Sequence, residues 1–197
     1  MSKEVVIDIE TQNTFLDVGQ GNHQSLKVSI VCGYNYADDT FFSFRESELV
    51  NLWPILEKAD RVIGYNSRYF DIPVLNNYYP GDLDKVMQLD ILEEIKKVLG
   101  FRLKLNDVAK ATLGIAKSGN GLEAVEWFKK GEWDKIEKYC LDDVKITRDV
   151  YEYGLKNKQL FYPDLQTKSS RPFPVNFTVP EKSANSASSA INLTLPF

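Results

Sequence analysis

The sequence has very few of the residues that form disulfides or bind zinc. It contains two cysteines and one histidine in 197 residues. Neither Cys32 nor Cys140 has another cysteine or a histidine at the spacing of zinc ligands. A disulfide framework and a Cys/His zinc site are therefore excluded, and we expect a protein of a reducing cytoplasm.

Long apolar runs are also missing. No stretch approaches the roughly 20 residues that span a bilayer, and the amino terminus lacks the charged and apolar segments of a signal peptide. We therefore expect no membrane association. The net charge of -4 disfavours a protein that coats nucleic acid through bulk positive charge, but it allows a local binding site.

The length of 197 residues fits one large globular domain. The composition of 43% hydrophobic and 26% charged residues provides for a sizeable core. Alternating apolar residues predict strands, and apolar residues three or four positions apart predict helices. The expected strands are 4–11, 26–32, 40–44 and 61–65, and the expected helices are 46–58 with a break at Pro54, 68–78, one between Asp90 and Gly100, one between Asn106 and Gly114, and 133–157. This order predicts an α/β domain.

The composition changes after residue 158. Five of the eight prolines lie beyond residue 160, and 183–197 contains no charged residue. We predict a domain at 1–158, a hairpin or extended segment at 159–180 with strands at 159–162 and 174–179, and a flexible tail with an apolar end at 181–197.

Three acidic motifs carry the candidate chemistry. Asp8 and Glu10 lie two positions apart on the first strand, so they share one face. Asp71 follows the fourth strand, and Tyr139 and Asp143 are one turn apart on the longest helix. Carboxylates packed closely repel one another unless a cation compensates them. If all four converge, they can hold two hard divalent cations about 3.5 to 4 Å apart, which suits in-line phosphoryl displacement.

Together these motifs resemble the DEDD superfamily of ribonuclease H-like 3′-to-5′ exonucleases, in the subgroup with a tyrosine in the third motif. The resemblance covers about 5–153 and includes Val62-Ile63-Gly64-Tyr65-Asn66 and Phe70-Asp71-Ile72-Pro73. Within the superfamily, the chain is similar to predicted bacterial and phage exonucleases and to the exonuclease domains of B-family DNA polymerases. The other subgroup has a histidine five residues before the last aspartate, where this chain has Lys138, so that subgroup is excluded.

The resemblance implies a three-layer fold with a mixed central β-sheet flanked by helices. It also implies a location in the bacterial cytoplasm, or in the cytoplasm of the host if a phage encodes the protein. It also implies two Mg²⁺ or Mn²⁺ ions. Asp8, Glu10 and Asp143 would ligate the ion that activates water, with Asp8 bridging to a second ion. Asp71 would support that second ion through water, and Tyr139 would hold the attacking water. Because a free tyrosine has a pKa of about 10, we expect Tyr139 to orient the water rather than to deprotonate it.

Each motif also has a purely structural interpretation. Asp71 could cap the following helix. Thr11 and Asn66 could contact the terminal nucleotide or only the backbone, and Phe70 could stack on a base or pack in the core. The order of the three motifs, each in its expected strand or helix, favours the catalytic interpretation.

The carboxyl-terminal residues form a second candidate motif. With asparagine in place of glutamine, the last six residues resemble the short peptides by which bacterial replication proteins bind the sliding clamp. Asn192, Leu193, Leu195 and Phe197 would make the contacts, and the linker before them would let them reach a groove on the partner. The apolar end could instead pack on its own domain.

The sequence thus predicts a two-metal 3′-to-5′ exonuclease that acts on the 3′ end of single-stranded or frayed DNA or RNA, with DNA favoured. A sliding clamp or a polymerase is the candidate protein partner. Two alternatives stay open: a non-catalytic strand-binding or clamp-recruited module on the same fold, and a structure-specific endonuclease with the same metal chemistry.

Overall fold

The computed structural model describes residues 3–115, 121–164 and 169–178, and within them the chain forms seven strands and seven α-helices. The strands are β1 (Glu4–Thr11), β2 (Val28–Asn35), β3 (Thr40–Arg45), β4 (Arg61–Gly64), β5 (Gln88–Asp90), β6 (Gln159–Asp164) and β7 (Ser169–Pro174). The α-helices are α1 (Phe15–Val18), α2 (Trp53–Lys58), α3 (Asp71–Leu75), α4 (Ile91–Leu99), α5 (Leu105–Leu113), α6 (Gly121–Lys130) and α7 (Trp133–Asn157).

A mixed sheet forms the centre of the molecule, in the order β3-β2-β1-β4-β5. The first three strands are antiparallel neighbours, while β4 and β5 run parallel to β1. A strand with helices on both sides is buried on both faces, and β1 shows this: Val6 packs on one side, and Val5, Ile7 and Ile9 pack on the other. The predicted three-layer α/β architecture with a mixed sheet is confirmed.

Two hydrophobic clusters separate the layers. The cluster on the Val6 side contains the apolar stripe of α7, including Ile136, Cys140 and Val144, together with residues of α4 and α5. The cluster on the opposite side contains the apolar residues of α2 and α3. As a result, α7 lies over the face of β1 that carries the residues in register with Val6. Within the described residues, no helix combines the length and the hydropathy that a membrane span requires.

Several predicted boundaries are wrong, and each has a local reason. The helix expected at 68–78 is reduced to α3, because 66–70 form a turn in which Asn66 adopts a left-handed φ of 67°. The segment 46–58 begins as a 3₁₀ helix and restarts as α2, with Pro54 in the first turn, where a missing N–H costs no intrahelical bond. The strand expected at 174–179 lies earlier, at β7, since Val175 and Phe177 pack into the core instead of continuing the hairpin. The predicted tail, 181–197, lies outside the described residues.

The hairpin β6–β7 and the segment after it are part of the core. Leu160, Phe173 and Phe177 belong to the cluster that contains the α7 stripe. Phe177 lies against Gly154 on α7, where an added Cβ would come closer than 3.0 Å to ring carbons of Phe177. The packing of Phe177 against α7 therefore requires a glycine at position 154.

Replacing Gly154 with valine is expected to lower the free energy of unfolding by about 1 to 3 kcal/mol, because overpacking outweighs the small gain in helix propensity. Urea unfolding measures the change. A second substitution, Phe177→Leu, opens space at the contact and should recover part of the loss. A valine variant as stable as the wild type would show that the Phe177 contact does not constrain α7.

Candidate active site

The first two residues of the candidate site, Asp8 and Glu10, are on strand β1. Asp8 and Glu10 lie on the Val6 face of β1, under α7, as the two-residue period of a strand requires. The Cys140 thiol of α7 donates to the backbone oxygen of Asp8 at 3.4 Å, which ties the helix to the strand at this point. The ladder between β1 and β2 shifts register between Glu10 and Thr11, so the strand changes course directly after the second carboxylate.

The long helix supplies the third carboxylate. Asp8, Glu10 and Asp143 each offer one carboxylate oxygen within 4.8 Å of the other two. Glu10 and Asp143 are buried, at 8% and 5% exposure. Three buried or half-buried carboxylates this close repel one another strongly in the absence of a cation. The donor set consists of oxygen only, which fits a hard divalent cation such as Mg²⁺ or Mn²⁺.

Asp71 lies beside this group rather than in it. It is the first residue of α3, and its Oδ1 accepts a hydrogen bond from the backbone N–H of Ile9 at 3.1 Å, between the two strand carboxylates. The pKa of Asp71 is raised to about 7, chiefly by burial and also by the negative charges of Asp90 and Asp143, against the effect of its backbone hydrogen bonds. The charge of Asp143 thus affects the pKa of Asp71. The bond to Ile9 connects the start of α3 to β1.

Tyr139 lies on α7, one turn before Asp143, and is the last of the predicted catalytic residues. The residue is 4% exposed, and its ring packs edge-on against Trp127 at 5.8 Å. Burial raises the pKa of Tyr139 well above its usual range, and the charges of Asp143, Glu10 and Asp8 raise it further. The phenol is therefore a neutral hydroxyl at physiological pH, able to donate a hydrogen bond but not to serve as a general base.

An open cavity of about 560 Å³ contains these side chains. This size is in the range of small-molecule sites, typically about 300 to 1,000 Å³. The lining residues are Asp8, Ile9, Glu10, Thr11, Thr14, Phe15, Leu16, Leu26, Tyr65, Asn66, Phe70, Asp71, Leu122, Val125, Tyr139 and Asp143. All eight residues that the sequence singled out for catalysis or substrate binding in the domain therefore meet in one place.

The three candidate substrate-binding residues differ in their surroundings. The Thr11 hydroxyl donates to the backbone oxygen of Asn13 at 2.7 Å, and Phe70 packs edge-on against Phe15 at 5.8 Å. Asn66 has its side-chain oxygen bonded to the guanidinium of Arg102. Phe70 therefore packs against the core and also lines the cavity, and its stacking on a base stays a prediction. The predicted clamp-binding residues Asn192, Leu193, Leu195 and Phe197 lie outside the described residues.

Sequence reasoning missed the apolar wall of the cavity. Phe15 and Leu16 lie on α1, between the first two expected strands, and Leu122 and Val125 lie on α6; neither helix is among the predicted ones. A signal for α1 was present, because Thr14 and Asp17 have the spacing of a capping box and form one.

A further missed residue is Asp90, which the sequence analysis names only as the start of a predicted helix. Its carboxylate does accept the N–H groups of Leu92 and Glu93 at the start of α4. It also accepts those of Asn66 and Arg68, at 2.9 and 3.0 Å, and so fixes the turn that precedes Asp71. These two N–H groups lie more than 20 positions away, so no local pattern indicates them.

Comparison with known proteins identifies the superfamily of the chain. A sequence model of the RNase H superfamily matches residues 5–154, and the chain belongs to this superfamily. The predicted resemblance to ribonuclease H-like proteins is confirmed. Comparison with curated protein sequences gave no match.

Solved structures share the fold at low sequence identity. The family B DNA polymerase of Pyrobaculum calidifontis is 17% identical with a TM-score of 0.62, over 77% of this chain and 24% of the polymerase chain. RNase D of Trypanosoma brucei is 17% identical with a TM-score of 0.56, over 77% of this chain and 57% of the RNase D chain. The same enzyme in complex with RNA U12 gives 16% identity and a TM-score of 0.57, over 77% of this chain and 55% of that chain. This chain therefore spans about a quarter of the polymerase and just over half of RNase D.

Proposed function

We propose that this protein is a metal-dependent 3′-to-5′ exonuclease that releases nucleoside 5′-monophosphates from single-stranded or frayed nucleic acid, with DNA favoured. The observation that carries the proposal is the convergence of Asp8, Glu10 and Asp143 at the floor of an open cavity large enough for a nucleotide. Membership in the RNase H superfamily and the fold shared with a DNA polymerase and RNase D support a nuclease.

The oxygen ligands of Asp8, Glu10 and Asp143 fit a hard divalent cation, and the proposal includes a second cation beside it, with Mg²⁺ and Mn²⁺ as the candidates. Asp8, Glu10 and Asp143 would hold the first, and Asp8 with Asp71 would support the second. When bound, the ions would supply activation of the attacking water and neutralisation of the charge that develops on the phosphodiester. The acidic group without such cations would repel a nucleic-acid backbone, so cleavage is expected to require the metal, and the metal is expected to strengthen binding of the strand end at the active site.

The chain's own residues would position the reactants. The neutral Tyr139 hydroxyl would hold and orient the attacking water through a hydrogen bond, as its raised pKa supports. Asp71, through its bond to Ile9, would keep the Asp8–Glu10 strand in place. Thr11, Asn66 and Phe70 would surround the terminal nucleotide, with the Phe70 ring against its base or sugar.

The protein partner belongs to the same proposal. A sliding clamp would bring the enzyme to a 3′ end by binding Asn192, Leu193, Leu195 and Phe197, and a polymerase is the second candidate partner. Such tethering raises the local concentration of the enzyme at its substrate without any new contact in the active site.

The test is a time course on single strands of DNA and RNA, labelled separately at each end, with Mg²⁺, with Mn²⁺ and with EDTA. We expect a label at the 3′ end to be released at once as a mononucleotide, a 5′ label to yield a ladder that shortens with time, and EDTA to stop both. Cleavage of a circular single strand would instead identify an endonuclease. Retention of the strand without cleavage at saturating Mn²⁺ would identify a binding module and contradict the proposal.

A further inference from the structure

A second cavity of about 490 Å³ adjoins the active site at Asn66. We call it the lysine groove and define it by Asn66, Tyr69, Lys96, Lys97 and Arg102. Its remaining walls are formed by Asp90, Leu92 and Glu93. Apart from Asn66, no residue that defines the groove has a role in the proposed cleavage.

Asn66 connects the two cavities, because it lines both of them. Its position is fixed from two sides: its backbone N–H donates to Asp90 at 2.9 Å, and its side-chain oxygen accepts a hydrogen bond from Arg102. The left-handed φ of 67° at Asn66 turns the chain between the two openings. A strand whose end lies at the acidic group can therefore continue past Asn66 into the lysine groove.

The groove is positively charged. The buried carboxylate of Asp90 accepts four backbone N–H groups, and Glu93 pairs with Arg68 at 3.6 Å. Glu93 is thus paired with a cation, and the oxygens of Asp90 are occupied by backbone donors. Lys96, Lys97 and Arg102 are exposed. Of these, Lys97 contacts Glu94 at 2.6 Å. With Arg68 included, the four cations in and beside the groove exceed the three carboxylates Asp90, Glu93 and Glu94 by one.

An aromatic ring lies among these cations. Tyr69 is 48% exposed, and its ring is held edge-on by His23 at 5.1 Å. Cationic side chains beside an exposed, supported ring are the elements by which proteins bind single-stranded nucleic acid without sequence preference, through phosphates and stacked bases. A paired base could not stack in this way, so the groove suits an unpaired strand.

We infer that the lysine groove binds the unpaired strand on the 5′ side of the nucleotide being removed, with Lys96, Lys97 and Arg102 on its phosphates and Tyr69 on a base. This inference rests on the proposed exonuclease function and extends it: the substrate is a single strand long enough to reach the groove, and cleavage of very short strands does not use it.

The test compares two matched pairs of lysines. Lys96 and Lys97 are exposed in the last turn of α4, and Lys129 and Lys130 are exposed in the last turn of α6. Each pair includes one ion pair to a glutamate three positions earlier, Lys97 with Glu94 and Lys129 with Glu126. The variants Lys96→Gln/Lys97→Gln and Lys129→Gln/Lys130→Gln therefore remove the same charge from equivalent helix ends, and only the first pair lines the groove.

For a 12-nucleotide strand we expect the first variant to lower kcat/KM roughly tenfold, through KM, and to reduce the slope of log kcat/KM against log salt by about 1.4, or about 0.7 for each lost phosphate contact. On a dinucleotide the loss should be much smaller. The α6 variant should retain the wild-type value and slope on both substrates. Equal losses in the two variants, no loss in either, or equal losses of the α4 variant on both substrates would overturn the inference.

Binding separates this inference from the exonuclease proposal. Fluorescence anisotropy of a labelled 12-nucleotide strand, in an Asp143→Asn background, requires no cleavage. If the wild-type protein degrades no strand, the exonuclease proposal fails. Weaker binding by the α4 variant than by the α6 variant would still support the groove, and equal binding would reject it.

Discussion

Replacing Asp143 with asparagine is expected to lower the rate of metal-dependent strand cleavage by about 1,000-fold and to leave the protein folded. Asparagine keeps the shape of the side chain but removes the charge that, with Asp8 and Glu10, would bind the cation. Loss of one charge-stabilising group in an enclosed site typically costs a factor of about 100 to 1,000, and loss of a metal ligand belongs at the upper end. Release of a 3′-terminal label under saturating Mg²⁺ measures the effect.

The neighbouring residue provides the control. Asp142 is on the same helix, is partly exposed and pairs with Lys138 at 2.7 Å. Asp142→Asn removes an equal charge one position away and should keep the wild-type rate. If both variants cleave at the wild-type rate, the carboxylate group has no catalytic role.

Thermal unfolding gives a readout that does not involve activity. In EDTA, Asp143→Asn should melt no lower than the wild type, because removal of one of three adjacent negative charges relieves repulsion. With Mn²⁺ at 100 times its dissociation constant, the wild type should gain about 2.7 kcal/mol. The variant should gain much less. An equal gain would place the bound metal elsewhere.

The predictable part of the site is the part set by local geometry. A two-residue period places Asp8 and Glu10 on one face, and a four-residue spacing places Tyr139 above Asp143, whatever the rest of the chain does. The apolar stripe of α7 then fixes which face of the helix meets β1. Hence the periodicities in the sequence place the first and third motifs on facing surfaces once α7 packs on β1.

The parts that could not be predicted depend on contacts between distant positions. The role of Asp90 in fixing the turn at Asn66 arises because β4 and β5 are parallel neighbours, and no sequence period encodes that pairing. Asp71 was predicted as a ligand or a cap, and its bond to Ile9 joins residues 62 positions apart. The short α1 is four residues long, which is too brief for a helical period to be recognised.

The same limit applies to the carboxyl-terminal segment. Its composition predicted an extension beyond the domain, yet Phe177 is fully buried and its backbone oxygen accepts a hydrogen bond from Arg61 at 2.9 Å. Arg61 also donates to Glu4, its partner in the parallel register of β1 and β4, and to the Tyr151 hydroxyl of α7. One buried guanidinium therefore joins the sheet, the long helix and the end of the described chain.

Replacing Arg61 with methionine should consequently lower the free energy of unfolding more than the Gly154→Val substitution described above. The side chains of Arg61 and Glu4 are 3% and 5% exposed, so the variant leaves a carboxylate buried without its cation. Removal of one member of a buried ion pair costs about 3 to 5 kcal/mol. Urea unfolding at neutral pH measures it, and proteolysis near the Phe177 segment should become faster, because the carbonyl groups of Phe177 and Thr178 lose their donor.

Two further variants separate the buried pair from a general effect of charge. Lys138→Met breaks an exposed pair and should cost less than about 1 kcal/mol. The double variant Arg61→Met/Glu4→Gln removes both charges and should be more stable than Arg61→Met alone, since the penalty comes from the unpaired buried carboxylate rather than from the missing attraction. If Arg61→Met costs no more than Lys138→Met, the network does not hold the carboxyl-terminal segment against the domain. In that case the packing of Phe177 against Gly154 would be its main attachment.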